Sequence, residues 1–255
     1  MKSSFRNELP RVYELKDMLD EPSHPDAYFQ DFEEGLENST SKLNAFRGLE
    51  RLLDALDDTA WQDLSQRAAP LLVSQERESG RGWQALFDIL RSEARAFGFL
   101  QSIGCTGVHF IKCRSKKKTP DLGASQVGRS VFCEVKTLNI SEDEAKKRSR
   151  MRRGAFVVGR TRPNVDNGFL RKLRVTLAAA VKQLDAADPE RRARRMIFTM
   201  LHFDDWLGEY QAQYIAQIDE HLLQQPVDGA ELVFCLSNNI FEHSFTMKSA
   251  TILPD

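Results

Sequence analysis

Hydrophobic side chains follow a helical period over the first part of the chain. Apolar residues recur three and four positions apart, as at Phe46, Leu49 and Leu53, which is the spacing of one face of a helix. No motif in this part carries recognisable chemistry. We therefore predict a helical N-terminal extension or subdomain over residues 1–75 and a main domain over residues 76–255.

The main domain opens with a helix and then changes to a two-residue period. The helical stripe covers residues 83–97, and Gly98 is suited to end it because glycine readily adopts the left-handed conformation found at helix ends. Farther along, Phe132, Glu134 and Lys136 alternate with small apolar residues, which is typical of a strand. Three strands are predicted in succession, at residues 107–113, 121–125 and 130–137.

The remaining pattern predicts an α/β fold with a mixed sheet. After a polar, basic segment at about 139–166, the predicted elements are a helix at 167–187, a strand at 196–203, a helix at about 206–224 and a strand at 231–237. The connection from the third strand through the long helix to the fourth strand has the pattern of a crossover between parallel strands. The order from residue 83 is therefore helix, three strands, helix and strand, with helices packed on the sheet.

A tight turn between the second and third strands sets their register. Gly128 readily adopts a positive φ angle, so we place Val127 and Gly128 at the centre of the turn, as in a type II turn. Asp121 and Glu134 then lie opposite each other with their β-carbons about 5 Å apart. Lys136 lies two residues beyond Glu134 and points to the same face. The hairpin thus gathers two carboxylates and an ammonium group.

This arrangement favours metal-dependent chemistry on phosphodiesters. Like charges directly opposite each other destabilise a sheet, so a purely structural hairpin gains nothing from this pair. Mg²⁺ is held in proteins by one or two carboxylates together with water and phosphate oxygens. A metal-activated water is a recurrent means of hydrolysing phosphodiesters. Lys136 would lie where its ammonium group can contact that water or the charge on the phosphate.

Pro120-Asp121 followed by Glu134-Val135-Lys136 resembles the signature of the PD-(D/E)xK nuclease superfamily, which has the restriction-endonuclease-like fold. The core of that fold is helix, three strands, helix and strand, the order predicted here between residues 83 and 203. The sequence resembles the Holliday-junction-resolvase-like and the restriction-like branches, and the resemblance does not distinguish between them. Short patterns of this kind also arise by chance. What supports this motif is that Asp121 and Glu134 lie on adjacent predicted strands.

The resemblance implies roles for individual residues. Asp121 and Glu134 would bind a divalent cation, Mg²⁺ or Mn²⁺, with help from the backbone carbonyl of Val135. Lys136 would position or activate the attacking water. Many members of the superfamily add an acid from the first core helix, for which Glu93 is the best match. The implied catalytic residues are Asp121, Glu134 and Lys136, and the implied metal ligands are Asp121, Glu134, Val135 and Glu93.

The distribution of charge indicates nucleic acid as the partner. The net charge is −1, but the basic residues cluster apart from the acids of the N-terminal region. Residues 141–162 hold eight basic and three acidic residues, and three lysines closely precede Asp121. We predict phosphate contacts from these two groups, namely Lys116, Lys117, Lys118, Lys146, Lys147, Arg148, Arg150, Arg152 and Arg153. Two further basic clusters, at residues 171–174 and 191–195, have no assigned role.

Several other classes of protein are disfavoured. The five histidines lack the spacing of zinc ligands, and no glycine-rich nucleotide-binding loop is present. No apolar run approaches the roughly 20 residues of a membrane span, and the N-terminus lacks the apolar core of a signal peptide. The four cysteines show no CxxC spacing, and Cys133 and Cys235 are predicted to be buried thiols, which suits a reducing cytoplasm.

The sequence therefore predicts a cytoplasmic metal-dependent nuclease without a membrane partner, and it favours DNA as the substrate without deciding between DNA and RNA. It leaves open an endonuclease or an exonuclease, and a homodimer or a larger defence or repair assembly. Two alternatives remain. One is a catalytically silent nuclease-fold module that binds nucleic acid or a protein partner. The other is a small-molecule α/β enzyme whose hairpin carboxylates bind a different ligand.

Overall fold

The chain forms two compact units in a computed structural model. The structure describes residues 5–19, 27–73, 85–112, 119–141, 143, 144, 146, 163–204, 209–236 and 246–248. One unit contains the described residues up to Phe110 together with Ala124–Gln126, and the other contains the remaining described residues from Ile111 onward. The helix that opens the predicted main domain thus belongs to the same compact unit as the N-terminal helices. The domain boundary at residue 75 stays a prediction.

Helices precede and flank a run of strands. The helices are α1 (Pro10–Asp17), α2 (Phe32–Asn38), α3 (Thr40–Asp54), α4 (Asp58–Val73), α5 (85–102), α6 (Asn167–Ala187) and α7 (Gln211–Gln224). The strands are β1 (Thr106–Phe110), β2 (Leu122–Gln126), β3 (Arg129–Leu138), β4 (Arg194–Leu201), β5 (Glu231–Leu236) and β6 (Thr246–Lys248). The ends of α6 are those predicted. The short strand β6 has no counterpart among the predicted elements, and β2 begins one residue later than predicted.

The described strands form one mixed sheet. They are hydrogen-bonded in chain order, from β1 to β6. Strands β3, β4 and β5 are parallel to one another, and β6 is antiparallel to β5. The predicted α/β class and mixed sheet are confirmed. The predicted crossover is confirmed as well, because α6 connects the parallel neighbours β3 and β4.

A hydrophobic core lies between α6, α7 and one face of the sheet. Leu173, Leu177, Ala180 and Leu184 recur at helical spacing along α6, and each is 0% exposed. They pack with strand residues that include Leu138 of β3. This core holds α6 over the face of β3 that also carries Glu134 and Lys136. No helix within the described residues is long and apolar enough to cross a bilayer.

Helix α5 extends past the end predicted for it. The prediction that Gly98 terminates the helix is wrong, since the helix continues to Ser102. Gly104, with a φ of 83°, ends it instead. The amides of Gly104 and Cys105 donate to the carbonyls of Gln101 and Leu100, both at 3.0 Å, which is the Schellman pattern. Either Gly98 or Gly104 could end the helix. The buried Phe97 and Leu100 on either side of Gly98 hold that glycine within the helix.

The N-terminal helices are tied together by a buried acid. Glu50 of α3 is 7% exposed, and its carboxylate accepts hydrogen bonds from the amides of Arg11 and Val12 at 3.0 and 2.9 Å. These amides belong to the first turn of α1, where backbone donors lack partners within the helix. Burial raises the pKa of Glu50, although the two amide bonds oppose that effect. Glu50 therefore acts as a structural link between α1 and α3.

Candidate active site

The turn that joins β2 to β3 lies where the sequence places it but has another conformation. Val127 and Gly128 are the two residues between the strands, with φ angles of 49° and 76°. Positive φ at both positions defines a type I′ turn, so the predicted type II turn is wrong. The I′ form matches the right-handed twist of the flanking strands, which outweighs the cost of positive φ at the exposed Val127. A two-residue turn pairs Gln126 with Arg129.

Asp121 lies one residue before β2, where the register of a two-residue turn predicts that it faces Glu134. The Oδ2 atom of Asp121 accepts a hydrogen bond of 2.7 Å from the backbone amide of Val135. The backbone carbonyl of Asp121 accepts from the amide of Ile111 at 2.9 Å. Asp121 is thus fixed through both its backbone and its side chain, and its carboxylate lies against the β3 backbone between Glu134 and Lys136.

Glu134 and Lys136 form an ion pair on the face of β3 that α6 covers. The Lys136 ammonium group donates to Oε1 of Glu134. The Glu134 side chain is 0% exposed and the Lys136 side chain is 25% exposed. The predicted shared face is confirmed by the strand alternation, since Leu138, two residues farther on, belongs to the core under α6. A carboxylate this deeply buried is rare unless it is paired or binds a metal.

Thr199 of β4 is a neighbour of this pair that sequence analysis does not reveal. The β3–β4 register aligns Thr199 with Lys136, on strands that lie about 4.8 Å apart. Thr199 is 0% exposed, and within the described part of the chain its hydroxyl has no hydrogen-bond partner. In sequence it is one polar residue in the apolar run MIFTML. A hydroxyl in a fully buried strand is the signal that could have marked it.

We expect the substitution Thr199→Val to raise the free energy of unfolding by about 1 kcal/mol. Valine has nearly the same shape, and the change removes a buried hydroxyl that makes no hydrogen bond within the described residues. Urea unfolding of the purified variant and of the wild type measures the difference. A loss of stability would contradict this expectation and show that the hydroxyl makes a hydrogen bond in solution.

Glu93, the predicted helix-borne metal ligand, lies in an ion pair. It is the last residue of a π-helical segment of α5, Asp88–Glu93, and its Oε2 atom lies 2.6 Å from Nη1 of Arg67. Arg67 also pairs with Asp63, and its guanidinium group lies 4.6 Å from the centre of the Phe110 ring. These contacts tie α4 to α5 and β1. The ion pair with Arg67 explains the acid on α5 without requiring a metal. The role of Glu93 as a metal ligand therefore stays a prediction.

Within the described residues, no three side chains of His, Cys, Asp or Glu come together as a metal-binding group. The candidate ligand side chains at the hairpin are therefore the predicted pair, Asp121 and Glu134. Two carboxylates with water and phosphate oxygens are sufficient for Mg²⁺.

Most of the predicted phosphate contacts lie outside the described residues. These are Lys116, Lys117, Lys118, Lys147, Arg148, Arg150, Arg152 and Arg153. Lys146 is described, and it is exposed. The predicted nucleic-acid contacts stay predictions.

The basic cluster at residues 191–195 has a structural role. The Arg195 side chain is 4% exposed and its Nη1 atom lies 2.9 Å from the Asp185 carboxylate, while Arg194 forms two hydrogen bonds to Glu231. Burial raises the pKa of Asp185, but Arg195 and Arg191 outweigh that effect and the pKa is lowered overall. Arg195 joins α6 to β4, and Arg194 joins β4 to β5.

No protein-family model matches the chain, and no curated protein or solved structure is significantly similar to it. The link to the PD-(D/E)xK superfamily therefore stays a resemblance that rests on Asp121, Glu134, Lys136 and the order of the elements.

The predicted buried thiols Cys133 and Cys235 are confirmed as buried free cysteines.

Proposed function

We propose that this protein is a divalent-metal-dependent nuclease that hydrolyses phosphodiester bonds, with DNA as the favoured substrate. The observation that carries the proposal is the grouping at the β2–β3 hairpin. Asp121 contacts the amide that follows Glu134, and Glu134 contacts Lys136 while fully buried. The succession α5, β1, β2, β3, α6, β4 supports a restriction-endonuclease-like core.

The donor set at the hairpin fits a hard divalent cation. Asp121 and Glu134 offer carboxylate oxygens and Val135 offers a backbone carbonyl, the ligand types that Mg²⁺ and Mn²⁺ prefer. No histidine or cysteine side chain joins the two carboxylates among the described residues. When bound, the cation would lower the pKa of a water and offset negative charge on the phosphate.

The protein's own residues have separable tasks in this proposal. The amide of Val135 holds the Asp121 carboxylate in one orientation, which reduces the reorganisation needed when substrate binds. Glu134 holds the Lys136 ammonium group beside the hairpin. Lys136 is partly exposed, so it can donate to a phosphate oxygen or to the attacking water while its stem stays packed. Substitution of such a group reduces catalysis about 10²- to 10⁴-fold.

A catalytically silent nucleic-acid-binding or partner-binding module is the second candidate. The observation in its favour is that Glu134 and Lys136 neutralise each other's charge directly. A pair of this kind is stable without a cation if its surroundings satisfy the remaining hydrogen bonds.

The test of the proposal is cleavage of plasmid DNA and of labelled DNA and RNA oligonucleotides by the wild-type protein. We expect cleavage with Mg²⁺ or Mn²⁺, none with EDTA, and faster cleavage of DNA than of RNA. Titration calorimetry with Mn²⁺ in the absence of substrate separates the two candidates. Binding of Mn²⁺ that is lost in Asp121→Ala supports the nuclease, whereas nucleic-acid binding without Mn²⁺ binding or cleavage supports the silent module.

A further inference from the structure

Helix α6 presents two different flanks to its surroundings. Arg174 donates from one flank to the side chain of Gln225, the residue that caps α7. On the other flank, Nε2 of Gln183 donates to the backbone carbonyl of Thr119 at 3.2 Å. Thr119 lies two residues before Asp121. The Gln183 flank therefore faces the segment that leads into the candidate active site.

Four residues make up this flank. Lys172, Thr176, Ala179 and Gln183 are spaced by four, three and four positions, and at 100° per residue they fall within about 60° of each other. We call this set the α6 flank. Lys172 and Ala179 are exposed, and Thr176 and Gln183 are partly exposed. The α6 flank extends about 16 Å along the helix, at about 1.5 Å per residue.

The chemistry of the α6 flank suits a phosphate backbone. Lysine, threonine and glutamine side chains donate hydrogen bonds to phosphate oxygens, and the small side chain of Ala179 leaves room for a close approach. Lys172 gives the α6 flank a positive charge, and the helix has no acidic residue between Asn167 and Leu184. A length of about 16 Å matches several phosphates of one strand, which are spaced by about 3.4 Å along a duplex axis.

We infer that a nucleic-acid strand lies along the α6 flank with its phosphates against Lys172, Thr176 and Gln183 as it enters the candidate site. This inference rests on the proposed function, since it assigns the substrate path to the same hairpin. Gln183 joins the α6 flank to the chain directly before Asp121, so a strand that follows the flank reaches the two carboxylates and Lys136.

The test compares charge changes of equal size on the two sides of α6. Binding of a labelled oligonucleotide is measured by fluorescence anisotropy in EDTA at several salt concentrations, so that cleavage plays no part. Lys172→Gln should weaken binding about eightfold at 0.1 M salt and lower the salt slope by about one, as expected for one lost phosphate contact. Lys182→Gln, on the outer face of the same helix, should change the affinity less than twofold.

A second matched pair uses two adjacent exposed alanines. Ala179→Glu places a negative charge on the α6 flank and should weaken binding more than Ala178→Glu, which points toward the Arg174 side. Equal effects within each pair, or no binding by the wild type, would overturn the inference. If the variants of each pair differ in binding but the wild type does not cleave, the α6 flank binds nucleic acid and the proposed nuclease activity is wrong. If the wild type cleaves but the variants of each pair bind equally, the nuclease activity stands and the path along the α6 flank is wrong.

Discussion

Cleavage by the variant Asp121→Asn is expected to fall by about 10³-fold or more, while its stability changes little. The asparagine oxygen can still accept the hydrogen bond from the amide of Val135, so the end of the hairpin keeps its anchor. What is lost is the negative charge that would hold the cation. A 10³-fold loss corresponds to about 4 kcal/mol of transition-state stabilisation, a reasonable share for a metal ligand.

The experiment measures cleavage rates under single-turnover conditions together with urea unfolding. Asp228→Asn is the matched control, because Asp228 is an exposed acid in the same compact unit. The control should cleave at the wild-type rate. If Asp121→Asn retains the wild-type rate at unchanged stability, Asp121 has no part in catalysis and the proposed site is wrong.

The variant Lys136→Met is expected to lose about 3 kcal/mol of unfolding free energy as well as activity. Methionine keeps the length of the side chain but removes the cation that contacts the fully buried Glu134. Leaving one member of a buried ion pair without its counter-charge costs about 3–5 kcal/mol. We expect the lower end because the Lys136 side chain is 25% exposed.

The double variant Glu134→Leu, Lys136→Met tests this reason. An apolar pair of similar volume often replaces a buried ion pair without a loss of stability. Urea unfolding should therefore place the double variant close to the wild type, although it would not cleave DNA. A double variant as unstable as Lys136→Met would show that the loss comes from packing rather than from the unpaired charge.

The order of the elements and the position of the hairpin could be predicted because they depend on local pattern. The helical period of α6 and the alternation in β3 are properties of short segments, and a two-residue turn sets the pairing on both sides. The turn type was harder to predict, since Val127 is not a residue that favours positive φ. Both Gly98 and Gly104 follow a helical pattern and could end α5. The packing of Phe97 and Leu100 decided which of them does.

The surroundings of the candidate site could not be predicted in the same way. Thr199 lies beside Lys136 because β4 pairs with β3 across the α6 crossover, and no local pattern contains that register. The contact of Glu93 with Arg67 likewise depends on how α4 packs against α5. Long-range pairings of this kind are set by how complementary faces pack together, and the spacing of residues along the chain does not reveal them.

By itself, the sequence determined an α/β fold with a mixed sheet and a hairpin that brings Asp121, Glu134 and Lys136 to one place. Turn length and strand alternation are enough to predict the hairpin, because they act over fewer than about 20 residues. The tertiary structure alone decided that Glu134 is fully buried under α6, that its charge is met by Lys136, and that Gln183 reaches the segment before Asp121. Those facts depend on the packing of α6 against β3 in the hydrophobic core, which joins residues far apart in the sequence.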